Sequence, residues 1–163
     1  MKYKFSKTIV IAAFAIMLLV TMALVPASAQ EQKGPKKLEG SWNVSVTGID
    51  CQTGAPLGTT TPSILTYSYG GTMQEVGSRV APSRRGSGYG VWSHESARRY
   101  GSAFQFFRFN ADGTFAGRQL LRQEIELSES GDEFTSFATG QIVDADGNVI
   151  STGCSQGLAT RFE

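Results

Sequence analysis

Residues 110–150 read NADGTFAGRQLLRQEIELSESGDEFTSFATGQIVDADGNVI, and the fold follows from them. Two related turns, Asn110-Ala111-Asp112-Gly113 and Asp144-Ala145-Asp146-Gly147, each sit between strand-like runs. Asp-Gly in that setting is a hairpin signature, because glycine accepts the left-handed conformation that the turn requires. Between the turns, Phe115, Leu121, Ile125 and Leu127 fall on one face of an extended chain. Arg118, Arg122, Glu124 and Glu126 fall on the other. This predicts a half-buried strand with a wet outer face. Glu129-Ser130-Gly131-Asp132 then turns the chain into 133–143.

The same chemistry extends in both directions. Trp42, Val44 and Val46 alternate with Asn43, Ser45 and Thr47, and Leu65, Tyr67 and Tyr69 share a face. Gly70-Gly71 can turn that strand back into 72–78. Eight strands in meander order are predicted: 41–49, 63–69, 72–78, 88–94, 102–110, 114–127, 133–143 and 148–162. No segment after residue 29 shows a helical period. The expected class is all-β, an eight-stranded up-and-down antiparallel barrel that removes exposed edges by closure. A two-sheet sandwich is the competing arrangement.

The N-terminus has different chemistry. Lys2, Lys4 and Lys7 precede an apolar run over 9–25 broken only by Thr21, then Pro26 and Ala27-Ser28-Ala29. A positive start, a short apolar run and an A-x-A site describe a cleavable secretory signal peptide over 1–29. The run falls short of the about 20 residues that span a bilayer, so no stable membrane anchor is expected after cleavage. The mature chain would be periplasmic or extracellular. Removing 29 of 163 residues leaves 134, enough for one core. Residues 30–38 read as a flexible lead-in and 39–163 as the barrel domain. The mature part carries twelve basic and fourteen acidic residues, a net charge of −2. That argues against nucleic acid as a partner.

Cys51 and Cys154 are the only cysteines, and in an oxidising compartment they are most simply a disulfide. In a closed eight-strand meander the first and last strands are antiparallel neighbours. If the two cysteines face each other, opposed residue numbers sum to 205. Trp42 then lies opposite Glu163 and diagonal to Arg161, close enough for a cation–π contact. Leu158 and Phe162 would point outward and need a cover, from the lead-in or a second subunit.

Gly40-Ser41-Trp42 opening the first strand, with Arg161 near the end of the last, resembles the lipocalin and calycin pattern. There a G-x-W motif starts the barrel and a late arginine packs across the indole. Gly90-Val91-Trp92 repeats the motif mid-chain. The whole chain also resembles uncharacterised bacterial exported proteins. The resemblance implies a calycin-like barrel binding a small hydrophobic ligand in its mouth, with Trp42 and Arg161 closing the barrel.

Candidate sites follow from that. Trp42, Tyr67, Tyr69, Trp92, His94 and Phe107 are the expected ligand-lining residues. Phe104 and Phe106 fall on the face opposite Phe107 and Phe109, so one pair must be covered from outside or shifted by a bulge. Arg79, Arg84, Arg85, Arg98 and Arg99 flank a Gly/Ser-rich segment, an anion-binding loop or a solvated connection. The sequence 144–148 lacks the spacing of a calcium loop, and no metal or cofactor is expected. The leading functional reading is an exported, non-enzymatic binding barrel. The alternatives are a small cyclase- or isomerase-like enzyme using His94, Glu75 and Arg99, or a structural or interaction module with a filled interior. Export predicts a mature N-terminus at Gln30, checked by mass spectrometry of secreted protein. An intact chain in the membrane fraction would contradict it.

Overall fold

The structure is a computed structural model, and residues 37–162 are described. The signal-peptide reading and most of the lead-in therefore lie outside the described residues. Eight strands run in chain order: β1 (Gly40–Ile49), β2 (Thr61–Ser68), β3 (Thr72–Gly77), β4 (Gly88–Ser96), β5 (Arg99–Phe109), β6 (Phe115–Leu127), β7 (Glu133–Val143) and β8 (Val149–Arg161). Each pairs antiparallel with the next, and β8 closes on β1. This is the closed barrel, and not the sandwich. A single 3-10 turn, Pro82–Arg84, interrupts the connection between β3 and β4.

The meander gives the barrel two ends. At the floor lie the turns 69–71, 97–98 and 128–132, together with residues 37–39. At the mouth lie the turns 110–114 and 144–148 and the longer connections 50–60 and 78–87. Trp42 and Leu38 are 0% exposed at the floor. The indole Nε1 donates to the Leu38 carbonyl at 2.9 Å, and Phe134 meets the ring edge-on at 4.8 Å. Leu38 thus belongs to the core rather than to a flexible lead-in.

The Arg161 guanidinium lies 4.2 Å from the Trp42 ring. It donates to the carbonyls of Glu39, Lys37 and Gly131, each at 2.7 Å from a terminal nitrogen, and lies 3.6 Å from Asp132. Gly40 explains the first residue of the G-x-W motif. Its φ of +122° is left-handed, and a Cβ there would stand 2.8 Å from the Arg161 guanidinium. The second G-x-W has another cause, because a Cβ at Gly90 would lie 2.0 Å from the Ala103 carbonyl oxygen.

The register differs from the expected one by two residues. Trp42 stands directly opposite Arg161, and Ile49 opposite Cys154. Strand β1 ends before Cys51, which sits in a turn held by Asp50, whose carboxylate accepts from the Gln52 and Thr53 backbones. These hydrogen bonds hold the Asp50 carboxyl below its ordinary range. The disulfide Cys51–Cys154 therefore runs diagonally, with Cα atoms 5.2 Å apart. An even shift between β1 and β8 leaves the paired residues of these two strands on their predicted faces. Leu158 and Phe162 do point outward, and no described residue covers them.

Another correction concerns Phe115, expected inside with Leu121. A bulge offsets β6 against β5 between Arg108 and Phe109. Gly117 there has φ of +111°, and a bulge of this kind re-aims the residues before it. Phe115 lies outside, 5.9 Å from Phe107, while Phe104 and Phe106 point in.

Removing the Arg161 side chain leaves three floor carbonyls without their charged donor and uncovers the indole. Arg161→Ala should destabilise the barrel by about 3 kcal/mol or more, since bonds to charged groups are worth roughly 1.5–3 each and water can replace part of what these partly exposed carbonyls lose. Arg161→Lys should recover less than half of that, having no planar fork. Urea unfolding followed by tryptophan fluorescence measures both; a loss below about 1 kcal/mol for the alanine variant would contradict the floor's dependence on Arg161.

Candidate functional site

Inward-facing side chains fill the floor half of the barrel. Tyr67 packs against Trp92 and Phe134 at 6.0 and 6.3 Å, and Trp92 against Tyr100 at 5.9 Å. Towards the mouth the small inward residues Ser63, Gly77, Gly88, Ser136, Ala138 and Gly157 leave space. A cavity of about 120 Å³ remains there, under the connection 78–87. Its apolar wall comes from Val44, Leu65, Phe104, Phe106 and Leu121, and its polar wall from Ser63, Gln123 and Ser136.

The polar wall consists of two buried networks. In the first, Gln123 Oε1 accepts from Tyr67 Oη at 3.3 Å and Ser102 Oγ at 3.0 Å, while its Nε2 donates to Ser136 Oγ at 2.8 Å. Burial pushes the Tyr67 phenol well above its ordinary value, so it stays protonated and remains a donor. In the second network, Glu75 on β3 pairs with Arg85 at 2.5 Å, both side chains 7% exposed. The Ser63 hydroxyl donates to the same carboxylate at 2.9 Å, and the Arg85 guanidinium lies 3.7 Å over the Phe106 ring. Space for this pair comes from two glycines. A Cβ at Gly77 would stand 2.5 Å from Glu75 Oε1, and one at Gly88 2.9 Å from Oε2.

None of the six expected lining residues borders this cavity. Trp42 and Tyr67 are consumed in the floor. Trp92 is half-buried there, its Nε1 donating to the Ser68 carbonyl at 3.0 Å. His94 lies exposed at the floor rim, 4.9 Å from the Tyr100 ring and with Nε2 2.9 Å from the Ala97 carbonyl. Tyr69 is 91% exposed in a turn and Phe107 56% exposed outside. Alternation distinguishes inside from outside, but not floor from mouth.

The five arginines do not form one loop either. Arg98 and Arg99 stand at the floor, paired with Glu126 and Glu129. At the mouth, Arg84 is exposed in the 3-10 turn, Arg85 is buried against Glu75, and Arg79 borders the cavity. Glu75 lies opposite Gly88, and His94 is six residues further along β4, about 20 Å at strand rise. The acid–base pair of the enzyme reading is not brought together. The sequence did hold a signal for the residues lining this cavity: polar residues on apolar faces, Gln123 between Leu121 and Ile125, Ser136 between Phe134 and Ala138, and Glu75 between Met73 and Gly77.

No protein-family model matches this chain, and no curated protein matches it. The barrel itself is consistent with a calycin-like fold.

The Glu75–Arg85 pair makes a prediction about stability. Breaking a buried pair from one side typically costs about 3–5 kcal/mol, because the other charge is left unpaired. Glu75→Gln should lose that much in urea unfolding, and Glu75→Gln with Arg85→Met should recover most of it. A double variant no more stable than the single one would show that the charge is not what matters.

Proposed function

We propose that this is an exported, non-enzymatic barrel that binds a small, largely apolar ligand in the cavity under its mouth. One observation carries the reading. Among the described residues, a region near the mouth joins an aromatic and aliphatic wall to a buried polar strip. Binding sites of small molecules combine these features, with a few fixed polar groups giving orientation. Size sets the class of ligand. About 120 Å³ is close to the roughly 150 Å³ of an apolar cavity that accepts benzene, and below the roughly 300 Å³ at the lower end of drug-sized sites. The ligand is one ring or a short chain.

Export is supported by the N-terminal pattern and by the disulfide, which belongs to an oxidising compartment. Among the described residues no helix is long and apolar enough to cross a membrane.

The test is thermal unfolding with benzene as probe. A ligand that binds only the folded state stabilises it by about 2.7 kcal/mol at a hundredfold excess over Kd, so the midpoint should rise by several degrees. Ala138 borders the cavity, and Ala138→Leu should fill it, keep the fold and abolish the shift. No shift in the parent protein, or an equal shift in the filled variant, would refute the reading.

A further inference from the structure

The charged groups around the cavity are not equivalent. Among the described residues one carboxylate borders it, Glu75, and both of its oxygens are occupied by Arg85 and Ser63. Arg85 is equally committed, to that carboxylate, to the Gly86 and Gly77 carbonyls and to the Phe106 face. A charged ligand therefore finds nothing to pair with in the depth of the cavity.

The rim is different. Arg79 borders the same cavity, and it has no ion pair or hydrogen bond to any described residue. Its guanidinium lies across Gly48, with Nη1 3.1 Å and Nη2 3.5 Å from where a Cβ would stand. Gly48 is opposite Ser155, another cavity-lining residue. The absence of a side chain at residue 48 is what lets this cation lie flat at the edge of an apolar space. A guanidinium so placed presents a planar fork suited to a carboxylate.

We propose that the cavity takes a small aromatic or short-chain carboxylic acid, with its apolar body inside and its carboxylate at the rim on Arg79, which sets the preference for anions. This rests on the binding reading above and names the ligand chemistry of that site. The apolar wall ends where the body of the ligand ends, and the one uncommitted cation among the described lining residues begins there. The Glu75–Arg85 pair acts against ligands that would carry their charge deeper, because burying an unpaired charge is expensive.

A charge series at constant shape tests the assignment: benzoate, benzyl alcohol and benzylammonium, titrated into the mature protein by calorimetry. Benzoate should bind about twofold to fivefold more tightly than benzyl alcohol, the range of a partly exposed ion pair. Added salt should narrow the gap. Arg79→Gln should equalise the two, and Arg79→Glu should turn the preference towards benzylammonium. Equal affinities in the parent protein, or a benzoate preference that survives in Arg79→Gln, would overturn the role of Arg79. Binding of benzyl alcohol in that case would leave the cavity reading standing. If none of the three probes binds, both readings fall.

Discussion

The barrel depends on one contact, the Arg161 guanidinium lying on the Trp42 indole. Closing an eight-stranded sheet brings the first strand against the last, but leaves an open floor where the ladder ends. A bulky indole fills the opening, and its one polar atom is answered by the Leu38 carbonyl. What remains exposed is a set of carbonyls on residues 37, 39 and 131, from separate stretches of chain. Arginine suits that position because its rigid fork reaches all of them at once while its flat face covers the ring. The lead-in and the β6–β7 turn are held to the barrel by the same side chain. Gly40 follows from this arrangement, since a Cβ there would meet the guanidinium.

Above the floor the interior holds the buried polar residues Ser63, Glu75, Ser102, Gln123 and Ser136. Buried ion pairs contribute little net stability compared with well-packed apolar residues, and hydroxyl and amide networks are valuable only when fully satisfied. Here Gln123 uses both carbonyl lone pairs, and Glu75 uses both oxygens. Gly77, Gly88 and Gly157 hold open the volume these groups occupy; a Cβ at Gly157 would stand 2.5 Å from Ser136 Oγ. The mouth half thus gives up aliphatic packing for fixed polar geometry.

The alternation of apolar residues and the Asp-Gly turns made the strands and their order legible, because a helix cannot sort side chains to two faces with a period of two. Register was less accessible. The cysteines suggested a directly opposed pair, whereas Asp50 turns the chain before Cys51 and makes the bridge diagonal. Phe115 could not be placed without knowing that Gly117 carries a bulge. The site was hardest to read. Parity sorts residues into inner and outer faces but carries no information about height along the barrel axis, so the conspicuous aromatics at the floor drew the lining assignment away from Ser63, Gln123 and Ser136.

Strand length supplies that missing coordinate. Strands β5 to β8 have 11, 13, 11 and 13 residues, against 10, 8, 6 and 9 for β1 to β4. The excess stands at the mouth: β8 runs five residues past its last partner on β1, and the end of β5 is met by the connection 78–87 through Gly86 and Phe107. One wall is therefore higher than the other, and the two long connections lie over the low side. Tight turns at the floor leave no comparable opening. Backbone that must bridge a low wall is the part of a closed barrel with the fewest ladder bonds, and hence the part that opens at least cost. Arg79 and Arg85 both stand on it, one without an ion pair to any described residue and the other anchored to Glu75. The ten-residue connection 78–87 thus borders the cavity through Ser78, Arg79, Val80 and Arg85, and it is placed there because β3 is the shortest strand of the sheet.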